Sequence, residues 1–520
     1  MQLSEILTSA NENRPREEAI VCGAERFTYS DLSGRVLRLA TALKDMGFGV
    51  QDRIAIVHRN CHRFLESYFA ATWIGAVLVP VNYRLSSDDF CYIFKDSGAK
   101  GIITEANLLE RIWSSIKDGS EPILTIITGR PKETEELGNA CVYENLIRRE
   151  SVEGLPPAEI QDSEAAQIYY TSGTTGKPKG VVLTHRNSYV HALNTIDEIH
   201  LTKEDRWLHV SPMYHLADAW STWAITMVGG THVFVPEFDP RRVLETIERD
   251  RITVSNFIPT MLNMLVNHPE VDRYDHSSLR LIMSGGAPIA PEVIRKVIDT
   301  FGCEYIQTYG MTETSPFLTM SILRSHLRDL PFEERLRYLA TTGRPFKGVD
   351  LEVVKEDGTE VERNDKDVGE IIVKGETITP GYWRRPEETK ERLKDGWLHT
   401  RDLATVNEEG YVTIVDRMDD MIITGGENVY SIEVENVLYE HPKIWEAGVI
   451  GVRDEIWGER IVAVVVPKEG EQLSEKEVIE HCKARLAAFK APKEVVLADE
   501  LPKTESGKLK KNVLREKYGG

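Results

Sequence analysis

Short apolar runs alternating with amphipathic segments are what most restrict the fold of this chain. In "DLSGRVLRLATALKDMG", Leu32, Val36, Leu39, Ala40 and Leu43 fall on one helical face, and Gly47 is placed to end the helix. Strand-like runs follow at "RIAIVH", "VLVPV" and "GIITE", separated by helical segments. Such alternation predicts βαβ units around a mostly parallel sheet. A second round runs from "RWLHVSPM" through "LRLIMSGGAPI" to "CEYIQTYG", so two layered αβ subdomains are expected. After about Thr341 the texture changes to "LEVVKEDGTEV", "GEIIVKG" and "GYVTIVD", which predicts a β-rich subdomain. From about Asp419 the chain offers strands at "EAGVIGV" and "RIVAVVV", a helix opened by Ser474 and Glu477 in capping-box spacing, and a last strand near "EVVLAD". The expected class is α/β, with a large N-terminal domain over residues 1–418 and a small α+β domain over 419–520.

A chain of 520 residues is too long for one hydrophobic core, in keeping with that division. Its 63 basic and 83 acidic residues give a net charge of −20, which repels nucleic acid and anionic membranes over most of the surface. An anionic substrate therefore needs a local basic site. The cysteines Cys22, Cys61, Cys91, Cys141, Cys303 and Cys482 are scattered without CxxC spacing, so neither a zinc site nor a disulfide framework is suggested. A reducing compartment, the cytoplasm, is expected. The start "MQLSEILTSANENRPREE" lacks a basic segment followed by an apolar one, so no secretory signal is expected. The longest apolar stretch, Tyr68 to Val81, is short of the roughly 20 residues that span a bilayer. It reads as a helix end, a glycine at Gly75 and a buried strand, and no transmembrane segment is predicted.

"YYTSGTTGKPKG", Tyr169 to Gly180, concentrates hydroxyls, glycines and two lysines between strand-like "AAQIYY" and "GVVLTH". Glycine allows close backbone approach and lysine adds point charge, which suits a phosphate chain. It is not a GxxxxGK[ST] loop, since Thr171 stands where the first glycine is needed and Pro178 follows Lys177. Further along come "PMYH" ending at His215, "SGGAPI" from Ser284, "YGMTE" from Tyr309, "DGWLHTRDLA" from Asp395, "DRMDDMIITGGENVY" from Asp416 and "PKTESGKLKK" from Pro502. In this order and spacing the chain resembles, over nearly its whole length, the adenylate-forming ligases, and among them the fatty acyl-CoA synthetases.

The resemblance implies an AMP-forming carboxylate:CoA ligase that uses ATP, Mg²⁺ and CoA. By motif match, Thr171, Ser172, Gly173, Thr174, Thr175 and Gly176 look like the cradle of the β,γ-phosphates, with Lys177 and Lys179 as nearby cations. Thr312 matches the α-phosphate contact and Glu313 the Mg²⁺ carboxylate. Tyr309 with Gly310 resembles the adenine-stacking segment, and Gly285, Gly286 and Ala287 its facing wall. Asp402 matches the ribose carboxylate and Arg417 a partner of ribose and phosphate. Family members commonly carry glycine where this chain has Arg401. Lys508 resembles the lysine that bridges the acyl carboxylate and α-phosphate, Asp419 falls at the hinge of a mobile C-terminal domain, and Lys503, Lys510 and Lys511 read as surface.

In acetate-activating relatives a tryptophan fills the place of Gly310, so the acid here is expected to exceed acetate or propionate. His215, Ala217, Trp220 and Ser221 resemble the acyl-tunnel wall, whereas Trp223 and Met227 read as ordinary core. A medium- or long-chain fatty acid is the main expectation, with aryl or alicyclic acids open because Trp220 could shorten the tunnel. Loading of a carrier protein, luciferase-like oxidation and a nucleotide-binding module without catalysis are the alternatives. No nucleic-acid partner is expected, and the chain is read as a monomer or homodimer.

Overall fold

The computed structural model describes residues 1–112, 123–129, 140–148, 154–171, 177–287, 289–503 and 509–519. They divide into two compact units. The first comprises Met1–Ala340, Pro345–Asp350 and Lys374–Leu398, and the second Thr341–Arg344, Leu351–Val373 and His399–Gly520.

In the first unit the helix Tyr29–Asp45 buries the face read from its spacing, with Leu32, Val36, Leu39 and Ala40 fully enclosed. Its N-terminus is closed by a reciprocal capping box between Thr28 and Asp31. The helix His62–Trp73 ends before Gly75, whose φ of +71° makes the turn into the strand Val77–Pro80. That strand and Ala99–Glu105 flank Arg53–Val57 in parallel, as the βαβ pattern demands. Beyond Val77–Pro80 the same sheet continues through Ala165–Thr171 and Lys179–Thr184 to Gly381–Tyr382.

A second sheet orders Phe317–Met320, Glu304–Gly310, Leu281–Ser284, Val254–Phe257, Arg206–His209 and Thr231–Phe234 side by side. Four of these neighbouring contacts are parallel. The strand Glu18–Cys22 then adds in parallel to Thr231–Phe234, with Ile20 opposite His232. Sequence order suggests two consecutive rounds, but the N-terminal hairpin Glu18–Cys22/Glu25–Thr28 finishes the edge of the second. Its apolar centre, Ala19, Ile20 and Val21, needs a covered sheet, and periodicity does not reveal which one.

In the second unit residues 402–406 of the strand Trp397–Val406 pair antiparallel with Val412–Arg417, placing Asp402 opposite Arg417. Further on, Ile444–Asp454 and Gly458–Pro467 form a long antiparallel pair, and Glu494–Leu497 adds to it in parallel. Alternate residues face two cores. Val449, Ile461, Ala463 and Val465 pack with residues of the helices Ser431–Tyr439 and Glu475–Lys483, while Ile450, Val462 and Val464 pack with Leu514 of Lys511–Tyr518. The Ser474 side chain accepts from the Glu477 N–H, as its spacing predicts. No helix among the described residues is long and apolar enough to cross a membrane.

Candidate active site

The parallel strands Leu281–Ser284 and Glu304–Gly310 set the first part of the site. Because they are neighbours, Gly285, Gly286 and Ala287 emerge beside Thr308 and Tyr309 at their carboxyl ends, where open α/β sheets bind ligands. Thr308 Oγ1 donates to Ser284 O at 3.0 Å and Gln307 Nε2 to Ala287 O at 3.3 Å. A Cβ on Gly285 would sit 2.3 Å from Thr308 Oγ1, so this approach requires glycine. Tyr309 is half-buried and Gly310 exposed.

Gly310 carries a structural demand of its own. At the irregularity where its strand pairs with Phe317–Met320, a Cβ there would lie 1.9 Å from Pro316 O. In this backbone, any side chain at 310 is directed at the neighbouring main chain.

Past Gly310 the 3₁₀ turn Thr312–Thr314 presents Glu313, which is 9% exposed. The segment 379–382 holds Glu313 at two points. Thr379 N–H donates to Glu313 O at 2.8 Å, and Tyr382 Oη–H donates to Glu313 Oε1 at 2.8 Å. Burial and the adjacent carboxylate raise the Tyr382 phenol far above its ordinary range, so it remains a donor. Gly381–Tyr382 is in turn paired antiparallel with Lys179–Thr184, and Thr379 Oγ1 donates to Val182 O at 2.6 Å. Lys179 Nζ lies 5.9 Å from the centre of the Tyr382 ring. Thr171 is opposite Lys179 at the strand end. Lys177 Nζ lies 5.5 Å from the Tyr92 ring, within a cavity of about 310 Å³ lined by Tyr92, Lys177, Pro178, Lys179, Arg385 and Glu388. Ser172, Gly173, Thr174, Thr175, Gly176 and Lys508 lie outside the described residues.

The segment "LADAWSTWAITM" forms two helices, Leu216–Ala219 and Ser221–Val228, that meet at Trp220. Trp220 is 1% exposed, its ring centre 4.9 Å from Trp207, 5.2 Å from Phe317 and 5.9 Å from His191. Ser221 is fully buried, its hydroxyl donating to Asp218 O at 2.7 Å. His215 and Ala217 are partly buried, and burial pushes the His215 ring down to about 4, which keeps it neutral. Trp223 is buried, whereas Met227 is half-buried.

Within the second unit, Arg417 Nε lies 3.3 Å from Asp402 Oδ1, so the two residues matched to the ribose are brought together. Arg401 takes a φ of +62°, a conformation glycine adopts at no steric cost, which is the physical reason glycine suits this position. Here the arginine side chain forms an ion pair with Asp419. Lys511, read as surface, proves largely buried: its Nζ is 2.8 Å from Glu435 Oε1 and also meets Ser431 Oγ. A lone lysine in a basic tail gives no sign of this, because Glu435 lies on a distant helix. Tyr382 is the other residue that the motif reading passed over. Its only sequence signal is its place in "TPGYW", the short run that completes the sheet edge.

The first unit thus carries glycine-bearing carboxyl-terminal strand ends, a carboxylate anchored by Thr379 and Tyr382, and Lys179 beside that tyrosine. The AMP-binding enzyme family model matches residues 7–383, and the AMP-binding enzyme C-terminal domain model matches residues 433–508. The chain belongs to the AMP-binding, adenylate-forming enzymes and is an AMP-forming acyl-CoA synthetase, an ATP-dependent acid–CoA ligase. It is 37% identical to a long-chain-fatty-acid–CoA ligase of Thermus thermophilus over 499 residues, covering 95% of this chain and 90% of the relative. It is 36% identical to a feruloyl-CoA synthase of an Amycolatopsis species over 512 residues, covering 97% and 96%. Among solved structures it resembles ATP-bound MatB from Rhodopseudomonas palustris with a TM-score of 0.88 at 30% identity, covering 100% of this chain and 99% of that one.

Proposed function

We propose that the acid this ligase activates is larger than acetate, a medium- or long-chain fatty acid, and that the motif-matched residues carry the two half-reactions. A carboxylate resists thiol attack because its leaving group would be oxide. In the first step an acid oxygen attacks the α-phosphorus of ATP and the bond to pyrophosphate breaks. In the second the CoA sulfur attacks the acyl carbon, AMP departs and the thiol proton is released.

The anchoring of Glu313 by Thr379 and Tyr382, with Lys179 beside the tyrosine, is the observation that carries this reading. Oε2 of Glu313 has no partner among the described residues, which suits a hard dication that prefers oxygen ligands. Glu313 would hold Mg²⁺, which when bound neutralises phosphate charge. Thr312 would donate to the α-phosphate, and Thr171 to Lys177 with Lys179 would hold the β- and γ-phosphates. Tyr309, Gly310 and Gly285 to Ala287 would sandwich the adenine, and Asp402 with Arg417 would take the ribose. Lys508 would bridge acid and α-phosphate, and rotation at Asp419 of a mobile domain over 419–520 would exchange the two steps. The free cysteines fit a cytoplasmic enzyme, acting as a monomer or homodimer.

His215, Ala217, Trp220 and Ser221 are assigned to the acyl side. An aromatic acid is the second reading, favoured by the closed ring cluster of Trp220, Trp207, His191 and Phe317. A panel of acetate, hexanoate, decanoate, palmitate and ferulate, scored for AMP and thioester, tests both. The proposal expects turnover to peak at decanoate or palmitate. A peak at ferulate selects the second reading, and strong acetate turnover overturns both.

A further inference from the structure

We propose that Cys22, Glu25 and His62 form a binding site for a thiophilic divalent cation, with Zn²⁺ the best match. One ligand atom from each residue, a sulfur, a carboxylate oxygen and an imidazole nitrogen, falls within 4.8 Å of the other two. The three come from the edge hairpin Glu18–Cys22/Glu25–Thr28 and from the first residue of the helix His62–Trp73. They are joined by the fold and not by spacing. Forty residues separate the cysteine from the histidine, so the chain carries no metal-binding signature in its sequence.

The second, independent observation is His62 itself. Its side chain is fully buried, yet neither ring nitrogen has a hydrogen-bond partner. Buried polar groups almost always find one, so an orphaned imidazole signals a missing ligand. Nδ1 lies 3.6 Å from Glu25 Oε2, on the side of the cluster, and Nε2 lies 4.0 Å from Glu66 Oε1. A metal on Nδ1 would leave Nε2–H directed at Glu66, which is the usual carboxylate–histidine–metal arrangement. Glu66 is itself fixed, accepting from Arg35 Nε at 2.7 Å and from Tyr143 Oη at 2.6 Å.

The donor set suits zinc, which binds sulfur at about 2.3 Å and imidazole nitrogen at about 2.0 Å in tetrahedral sites. Contraction onto an ion falls mainly to Glu25, whose side chain is 49% exposed and free to turn inward. Charge also balances. A thiolate and a carboxylate offset the dication, while the nearby Arg35 and Arg63 are already paired with Glu66 and Glu144. Burial pushes the Cys22 thiol above its ordinary value, opposed in part by the His62 backbone N–H that Sγ accepts, so an ion must displace the thiol proton on binding. The fourth position is left to water.

The whole chain, stripped with a chelator, would be titrated with Co²⁺. The expected result is a saturable thiolate-to-cobalt charge-transfer band at a single equivalent, bleached by Zn²⁺, and a melting temperature raised by Zn²⁺. Cys22→Ser should abolish the band and the thermal shift, whereas Cys91→Ser should keep both. Glu25→Gln, at the exposed ligand, should weaken cobalt binding at least tenfold without disturbing the core. Absence of a saturable band in the wild-type chain, or a band unchanged by Cys22→Ser and Glu25→Gln, overturns the proposal.

Discussion

Replacing Tyr382 with phenylalanine tests whether the grip on Glu313 matters to adenylation. The ring stays, so its packing and its place under Lys179 are kept, and only the hydroxyl that donates to Glu313 Oε1 is lost. A hydrogen bond to a charged group contributes about 1.5–3 kcal/mol. At about 1.4 kcal/mol per factor of ten, that corresponds to a roughly 10–150-fold loss if the bond orients the carboxylate in the transition state. Glu313 is only 9% exposed, so water replaces the phenol poorly, which argues for the upper half of that range. The assay is acid-dependent ATP–pyrophosphate exchange, which isolates the first half-reaction, run across a Mg²⁺ titration. The expected outcome is a fall in kcat/KM for ATP, a higher Mg²⁺ requirement and an unchanged KM for the acid. Exchange within twofold of wild type at every Mg²⁺ concentration would refute the assignment of Glu313.

Two further predictions concern pH and the Arg401 departure. Burial pushes the His191 ring down to about 3, against an ordinary value near 6.5. The unfolded chain therefore takes up a proton below about pH 6.5 that the folded one refuses, and stability falls as pH drops from there towards 3, at up to roughly 1.4 kcal/mol per pH unit from this group. Urea midpoints should show that slope in the wild type and a shallower one in His191→Gln. In Arg401→Gly, relief of a left-handed backbone, about 1–3 kcal/mol, opposes loss of a half-exposed ion pair with Asp419, about 0–1 kcal/mol. The melting temperature should therefore hold or rise slightly, while single-turnover thioester formation quickens relative to pyrophosphate exchange. Equal changes in both half-reactions would remove Asp419 from a hinge role.

Much of the first unit was legible because its elements obey local rules. The helix over Leu32 to Leu43 and the strands around Ile54, Leu78 and Ile102 follow from periodicity and from glycines that end helices. What stayed hidden was set by partners far away in sequence. The hairpin at Val21 joins the sheet of Val233, Lys511 is drawn inward by Glu435, and Tyr382 becomes part of the site only because its strand pairs with Lys179–Thr184. Period and propensity carry no information about such pairings, since a strand of two residues has no period at all.

Gly310 shows how one residue can satisfy two demands that sequence reading does not separate. Its absence of a side chain fits a site that admits acids larger than acetate, yet the 1.9 Å approach of Pro316 O would exclude a Cβ whatever the acid. The close approach follows from the irregular pairing that also starts the turn Thr312–Thr314, which presents Glu313. A larger residue at 310 therefore shifts the strand that feeds the anchored carboxylate before it can narrow any acyl space. The strand pairing at Gly310 and the presentation of Glu313 are coupled through one backbone crossing. A tryptophan at 310 would require this crossing to take another path around Pro316.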